Sequence, residues 1–342
     1  MSDDADTAPP EIELLLITVP QLESNVVCDF GGMWEVPKLI DSAGPRACYR
    51  FIGFFAAQIR NPNTRAAYYR AVRQFADWCE DRQVQLVDLN PVLVAAYIEH
   101  LQQHRPEPTV KQALAAIRML FDWFVTGHVI LFNPASSVRG PRYSLRRGKT
   151  PVLDAEQARQ LLDSINTVTI VGLRDRALIA MMVYTFARVG AVASMKVEDY
   201  FQQGKRWTVR LHEKNGKLIE MRVHHNLEAY LDAYIDTAGI REDRKGPLFR
   251  RVAKRRHAEL TAAAMPRQLV WSVVKRRARS VSMPPEICCH TFRATGITTY
   301  LKNGGTLEKA QYMAGHESSR TTSLYDRRQD EITLDDVERI AI

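Results

Sequence analysis

A chain of 342 residues, 46% of them apolar and 25% charged, is long for one domain and comfortable for two separate cores. No stretch approaches the roughly 20 uninterrupted apolar residues of a membrane span, the start is acidic where a signal peptide is positive, and five cysteines (Cys28, Cys48, Cys79, Cys288, Cys289) in an odd count without a CxxC pair argue against a disulfide framework or a cysteine-rich zinc site. A cytoplasmic protein with reduced thiols is expected, and its net charge of +8 understates its basicity, because residues 1–20 hold five acids and no Lys or Arg.

Residues 1–43 contain several prolines and glycines and no sustained helical period, and read as a poorly specified arm. From Thr64 the pattern changes. Tyr68, Val72, Phe75 and Cys79 recur at spacings of four, three and four, one apolar face of an amphipathic helix. Val94, Tyr97, Ile98 and Leu101 after Pro91 predict a second helix, and Leu114, Ile117, Phe121 and Phe124 a third, with Thr109 as its N-cap. These make a helical bundle over 44–138. The segment 139–150 has Gly, Pro and cations without apolar period and reads as an exposed linker. A second domain, 151–342, then opens with a helix capped by Asp154 and Gln157, followed by another from about Arg174 toward Phe186.

Trp207, Val209 and Leu211 alternate with polar residues, Asn215-Gly216 signals a type I′ turn, and Ile219, Met221 and Val223 alternate back, which predicts a β-hairpin. Its tip carries Lys214 and Lys217. Beyond it the pattern returns to helices through residue 342. Three cationic runs, Arg139–Lys149 with five Lys or Arg, Arg244–Arg256 with seven and Lys275–Arg279 with four, can neutralise phosphates and release counterions. One such run is as readily a solvated helix face; three together favour a nucleic-acid partner.

The most informative cluster is His290-Thr-Phe-Arg293, Gly315-His316 and Tyr325. Cleaving a phosphodiester without water needs a nucleophile, cations for the non-bridging oxygens and an acid for the leaving alkoxide. His290 and Arg293, three apart on a helix that ends at Gly304-Gly305, project from the same face. A guanidinium suits the task because its planar donors match two phosphate oxygens and it stays protonated. Each residue also has a plain structural reading. Arg188 could cap a helix, Lys214 could be a solvated turn lysine with Lys217 its rival, His316 could pair with helix C-terminal carbonyls, and Tyr325 could be a core tyrosine.

With these motifs in order, the sequence resembles the tyrosine recombinase (phage integrase) family, of Xer and Cre type. The domain plan is similar over roughly residues 45–330. Thr185-Phe-Ala-Arg188-Val-Gly resembles the first-arginine motif, Lys214 the hairpin lysine, His290-x-x-Arg293 the second box, and Gly315-His316 with Ser318, Thr321, Thr322 and Tyr325 the last. Asn133-Pro134-Ala135 before the basic stretch fits the same plan. The implied fold is mainly α with a small antiparallel β-sheet: an N-terminal helical, SAM-like core-binding bundle followed by a catalytic domain. The implied chemistry is attack by Tyr325 on the scissile phosphate, giving a 3′-phosphotyrosyl link and a free 5′-hydroxyl, then the reverse step with a partner strand. Arg188 and Arg293 would bind the non-bridging oxygens, His290 would assist proton handling and phosphate binding, His316 would hydrogen-bond the phosphate and Lys214 would protonate the leaving oxygen. No metal, ATP or other cofactor is implied.

One departure stands out. The family usually carries an acid three places after the first arginine, where this chain has Ala191; Glu198 is a possible replacement, whereas Asp199 resembles a structural acid. After Tyr325, the residues Thr333, Leu334, Val337 and Ile340 predict a short capped helix too small to bury its stripe alone. In the family this segment packs on a neighbouring protomer, which implies a homo-tetramer on double-stranded DNA with a specific recombination site, with or without a second recombinase. Two other functions fit parts of this pattern: a type IB topoisomerase-like or telomere-resolving enzyme with the same Tyr, Arg, Lys and His chemistry, or a DNA-binding accessory protein whose catalysis Ala191 has weakened.

Overall fold

The computed structural model describes residues 35–142, 148, 150–213, 216–253, 256–326 and 337–340. The chain divides into two compact units, Met1–Ser144 and Leu145–Ile342.

The first unit consists of helices α1 (Lys38–Asp41), α2 (Pro45–Gly53), α3 (Pro62–Glu80), α4 (Pro91–His104) and α5 (Glu107–Thr126). Proline opens α2, α3 and α4, at a position whose backbone N–H would have no partner in any case. Asn61 and Asn90 cap the second and third of these, each accepting two backbone N–H groups of the first turn. Of the stripes predicted for α3, α4 and α5, Val72, Phe75, Cys79, Val94, Tyr97, Ile98, Leu101, Leu114, Ile117, Phe121 and Phe124 are buried, and Tyr68 is half-buried against the same core. Phe75 meets Tyr97 and Phe121 edge to face at 5.0 and 5.9 Å, a favoured ring geometry. Asn133-Pro134-Ala135 forms a turn fastened to α5, with the Asn133 side chain donating to the Arg118 carbonyl at 3.0 Å and accepting from Ala135 N at 2.8 Å.

Two expectations fail here. Thr109 does not cap α5, which begins two residues earlier after Pro106; Pro108 is tolerated in the first turn for the same reason that Pro62 and Pro91 are. The arm reading of 1–43 also breaks down at its end, because Leu39 and Ile40 of α1 belong to the core. Residues 1–34 lie outside the described residues.

The second unit contains α6 (Ala155–Asp163), α7 (Ile170–Thr185), α8 (Val189–Ala193), β1 (Tyr200–Gln203), β2 (Arg206–His212), β3 (Leu218–Arg222), α9 (His225–Ala238), β4 (Arg250–Ala253), β5 (Arg256–Ala264), α10 (Arg267–Ser280), α11 (Cys289–Lys302), α12 (Leu307–Ala314) and α13 (Ser319–Ser323). Helix α7 is its axis. It is buried on every side, through Leu173, Ala177, Leu178, Ile179, Ala180, Met181 and Met182, and packs against α9 and α11. The capping box of α6 forms as predicted, Asp154 and Gln157 each bonding the other's backbone N–H. The predicted hairpin is β2 with β3, in the register Val209 to Met221 and Leu211 to Ile219, and β1 adds an outer antiparallel strand.

The return to an all-helical pattern after this hairpin is not what the chain does: β4 and β5 form a second antiparallel pair. The basic run masks alternation in β4, and β5 ends in Thr-Ala-Ala-Ala, poor in the β-branched and aromatic residues that mark strands.

Two cations of the third basic run pair with a buried acid, Arg276 while staying more than half exposed and Arg277 largely covered. Arg174 and Asp175, 2% and 0% exposed, pair at 2.7 Å, and the other Asp175 oxygen accepts from Arg276 at 2.9 Å and Arg277 at 2.7 Å. One buried carboxylate therefore serves three guanidiniums and ties α10 to α7. Replacing Asp175 with Ala leaves Arg174 charged and unpaired in the core, which should cost about 3–5 kcal/mol; the check is a lower urea midpoint at unchanged slope.

Candidate active site

The site is assembled where three chain segments end. Helix α7 stops at Phe186, which adopts the left-handed conformation at φ 56° and turns the chain so that Arg188 stands at the start of α8. Helix α12 stops at Gly315, left-handed at φ 60°, and the next residue is His316. Helix α11 runs close by, because Gly296 replaces a side chain whose Cβ would lie 2.1 Å from the Val183 carbonyl oxygen. This approach brings Arg293, one turn earlier, to the ends of the other two helices: Nη1 donates to the Phe186 carbonyl and Nη2 to the Ala314 carbonyl.

Arg293 is only 1% exposed, and its Nε has no hydrogen-bond partner. Burial and the nearby charge of Arg188 hold its pKa down to about 10, so the group is still a cation at neutral pH. It is a buried positive charge held by carbonyl dipoles, with no carboxylate bonded to it among the described residues. Such a charge favours the arrival of an anion.

Tyr325, on the turn after α13, packs in the same small core as Phe186, Ile297 and Leu301. Its backbone carbonyl accepts from Thr298 at 2.9 Å, and its hydroxyl shares a hydrogen bond of 2.8 Å with His290 Nε2. Burial raises the phenol's pKa, against the pull of Arg293 and Arg188, so the resting group is protonated. His290 sits in the first turn of α11 with an exposed edge. Burial of the rest of the ring, then Arg293 and Arg188, lower its pKa, leaving a neutral imidazole against a neutral phenol. His316 is buried and stacked on Tyr325, with rings 10° from parallel and centroids 5.7 Å apart. Its Nδ1 shares a 2.9 Å hydrogen bond with Thr322 Oγ1.

Arg188, His290, Arg293, His316 and Tyr325, five residues spread over 138 positions of sequence, thus meet in one place. Lys214 lies outside the described residues. Its rival Lys217 is near enough for its charge to oppose protonation of His316. Thr322, named with the last motif, orients His316. One partner was not marked by any motif: Glu213, with a side chain 2% exposed, pairs with Arg188. Glu198, the replacement considered for the missing acid, is engaged elsewhere, 2.8 Å from Lys245. Asp199 accepts from the Lys196 backbone at 2.9 Å, as a structural acid does. Ala191 is itself buried. Among the described residues no three His, Cys, Asp or Glu side chains are grouped to hold a metal ion.

The sequence model described as Phage integrase family matches residues 151–331, more than half of the chain. The chain belongs to the phage integrase family. A second model, Phage integrase, N-terminal SAM-like domain, matches residues 52–129 of this integrase-family chain. Tyrosine recombinase XerD of Staphylococcus epidermidis is 24% identical over 267 residues, covering 77% of this chain and 87% of that one. The XerD of Listeria monocytogenes is 26% identical over 270 residues, with coverages of 77% and 87%. In fold, the chain resembles the XerH site-specific recombinase in its post-cleavage complex with palindromic difH substrate, at a TM-score of 0.64 and 18% identity over 81% of this chain and 79% of that one. It also resembles lambda integrase bound as a dimer to a COC′ core site, at 0.63 and 19% over 86% and 80%. The mainly α architecture with small antiparallel sheets is that of these recombinases.

Burial and the surrounding cations push His316 down to about 3 from the ordinary 6.5. The unfolded chain therefore binds a proton that the folded chain refuses, so stability is full above pH 6.5 and falls as pH drops from there toward 3. Thermal melts between pH 7 and 5 should show this loss, and His316→Gln should flatten the slope; an unchanged slope would contradict a neutral buried His316.

Proposed function

We propose that this chain is a site-specific DNA recombinase that cuts and rejoins strands through a 3′-phosphotyrosyl intermediate. The observation that carries this reading is the Tyr325 hydroxyl hydrogen-bonded to a neutral His290 beside two guanidiniums. The phenol donates its proton to His290 Nε2 as its oxygen attacks the scissile phosphorus. The new O–P bond forms while the bond to the 5′ oxygen breaks, and Lys214 protonates that leaving alkoxide. Arg188 and Arg293 hold the non-bridging oxygens as charge builds, and His316, whose Nδ1 is held by Thr322, hydrogen-bonds the phosphate through Nε2. Charge stabilisation by fixed donors in a site closed to water is worth far more than in solution. The energy of the broken bond is kept in the phosphotyrosine, so attack by the 5′-hydroxyl of a partner strand completes exchange.

The helical bundle of 44–138 serves in this reading as the core-binding DNA domain, 139–150 as a basic linker and 151–342 as the catalytic domain. The assembly is a homo-tetramer on double-stranded DNA. Support comes from lambda integrase, whose tetramer bound to a Holliday junction has the same fold at a TM-score of 0.61, with 18% identity over 86% of this chain and 80% of that one. Among the described residues no helix is long and apolar enough to cross a membrane. Of the tail stripe, Thr333 and Leu334 lie outside the described residues, while Val337 and Ile340 are exposed, at 51% and 68%. Their exposure is in keeping with a partner protomer as their cover, and deleting 331–342 should weaken synapsis on DNA while leaving cleavage by single protomers intact, read by gel-shift and adduct assays in parallel.

The direct test is covalent capture. Nicked duplexes with a randomised core are incubated with the protein, and adducts that survive denaturant are recovered and sequenced. Wild type should yield adducts on one family of sequences; Tyr325→Phe should bind the recovered duplex but yield none. Adducts on every sequence with plasmid relaxation would indicate the topoisomerase-like reading, and no adduct with wild type the accessory-protein reading.

The pH dependence follows from the lowered pKa of His290. At limiting DNA, the second-order rate of adduct formation reports groups of the free protein. Its acid limb should fall below the ordinary histidine value of 6.5, and a limb centred above that value would remove His290 as the base.

A further inference from the structure

The carboxylate of Glu213 occupies a place at the site for which the first-arginine motif offers no counterpart. Glu213 directly follows β2 and precedes Lys214 in the chain. Its Oε1 accepts from the Arg188 backbone N–H at 3.1 Å, and its Oε2 accepts from Arg188 Nη1. Its own N–H donates to the Lys217 carbonyl at 2.7 Å, closing the base of the hairpin turn. The end of α12 packs on the pair: a Cβ on Gly315 would lie 3.7 Å from Glu213 Cγ, 3.9 Å from Arg188 Nη1 and 2.9 Å from Ile219 Cδ1. The carboxylate therefore ties together the turn after α7, the hairpin and the segment that leads to His316.

We infer that Glu213 is a positioning residue for strand transfer, giving Arg188 the orienting carboxylate that Ala191 cannot provide. This rests on the recombinase reading above. Arg188 is one-third exposed, whereas the Glu213 side chain is 2% exposed, so the acid is the fixed partner and the guanidinium the one that needs fixing. A free arginine samples many rotamers, and a phosphate would have to order it at the moment of binding; a guanidinium held in place by folding is already oriented. Glu213 grips the backbone N–H and Nη1. Among the described residues no other group bonds the Arg188 guanidinium, so its remaining donors can meet an oxyanion. The same carboxylate offsets the repulsion between Arg188 and Arg293, each of which lies in the other's field.

The alternative is that Glu213 acts on its chain neighbour Lys214, or only on the fold. The experiment separates these with the duplex recovered by covalent capture, measuring adduct formation in a single turnover at saturating protein and DNA affinity separately. Glu213→Gln, nearly isosteric, should slow adduct formation on the order of 10²-fold, the scale of a small misplacement of a catalytic group, with affinity within about threefold. Glu213→Asp should recover part of the rate. The double variant Arg188→Lys/Glu213→Gln should be no slower than Arg188→Lys, because removing the positioned group removes what Glu213 acts through. A duplex with sulfur at the bridging 5′ position needs no acid, since a thiolate leaves near pKa ~8.5. It should restore Lys214→Ala and leave Glu213→Gln slow.

A wild-type rate for Glu213→Gln, fully additive losses in the double variant, or rescue of Glu213→Gln by the sulfur substrate would each overturn the inference. Should Glu213→Gln not fold, as judged by its melt, Glu213→Asp with and without Arg188→Lys carries the same cycle. Failure of the recombinase reading looks different: wild type would form no adduct at all, or Tyr325→Phe would form one.

Discussion

The second unit is organised around one buried cation. Arg293 lies between the ends of α7 and α12 and spends both terminal nitrogens on their last carbonyls. A helix C-terminus carries the negative end of the helix dipole and unpaired carbonyls, so two such ends can hold a guanidinium without a bonded carboxylate. Two neighbours at the site are placed by this contact. The left-handed turn at Phe186 aims a carbonyl at Arg293 and sends the chain on to Arg188. The left-handed turn at Gly315 does the same for Ala314 and delivers His316.

Once the cation is in place, the protonation states of its neighbours follow. Two arginines and burial act in the same direction on both histidines, so His290 and His316 remain neutral where an exposed histidine would begin to charge. Tyr325 is pulled two ways. Burial favours the phenol, whereas Arg293 and Arg188 favour the phenolate. The resting state is therefore an uncharged phenol beside an uncharged imidazole, with two guanidinium charges close by. In the proposed reaction this arrangement supplies the electrostatic preorganisation by which active sites stabilise a transition state more than a ground state.

A second network of the same unit shows the opposite use of arginine. Asp175 collects Arg174, Arg276 and Arg277, and these cations serve the joint between α7 and α10. Arg276 and Arg277 come from a run that the sequence alone presents as one cationic stripe. Charge counts along a chain overstate the net charge offered to a polyanion whenever a buried acid pairs with some of the cations, as Asp175 does with Arg276 and Arg277.

The primary sequence by itself determined the helices whose apolar stripes repeat over three or more turns, the hairpin marked by Asn215-Gly216, and the family, because these signals are local and each residue in them is read against its chain neighbours. It also named Arg188, His290, Arg293, His316 and Tyr325. What only the tertiary structure decided is which carboxylate faces Arg188. Position 191 is adjacent in sequence and carries no charge; Glu213 is 25 positions away and reaches Arg188 only because β2 runs back past the start of α8. The pairing β4 with β5 was hidden for a related reason, since its stability comes from the partner strand and the core behind it and not from the β-propensity of an alanine-rich segment. Contacts between distant segments leave no periodic trace in a chain, and at this site they hold the Arg188 guanidinium in place.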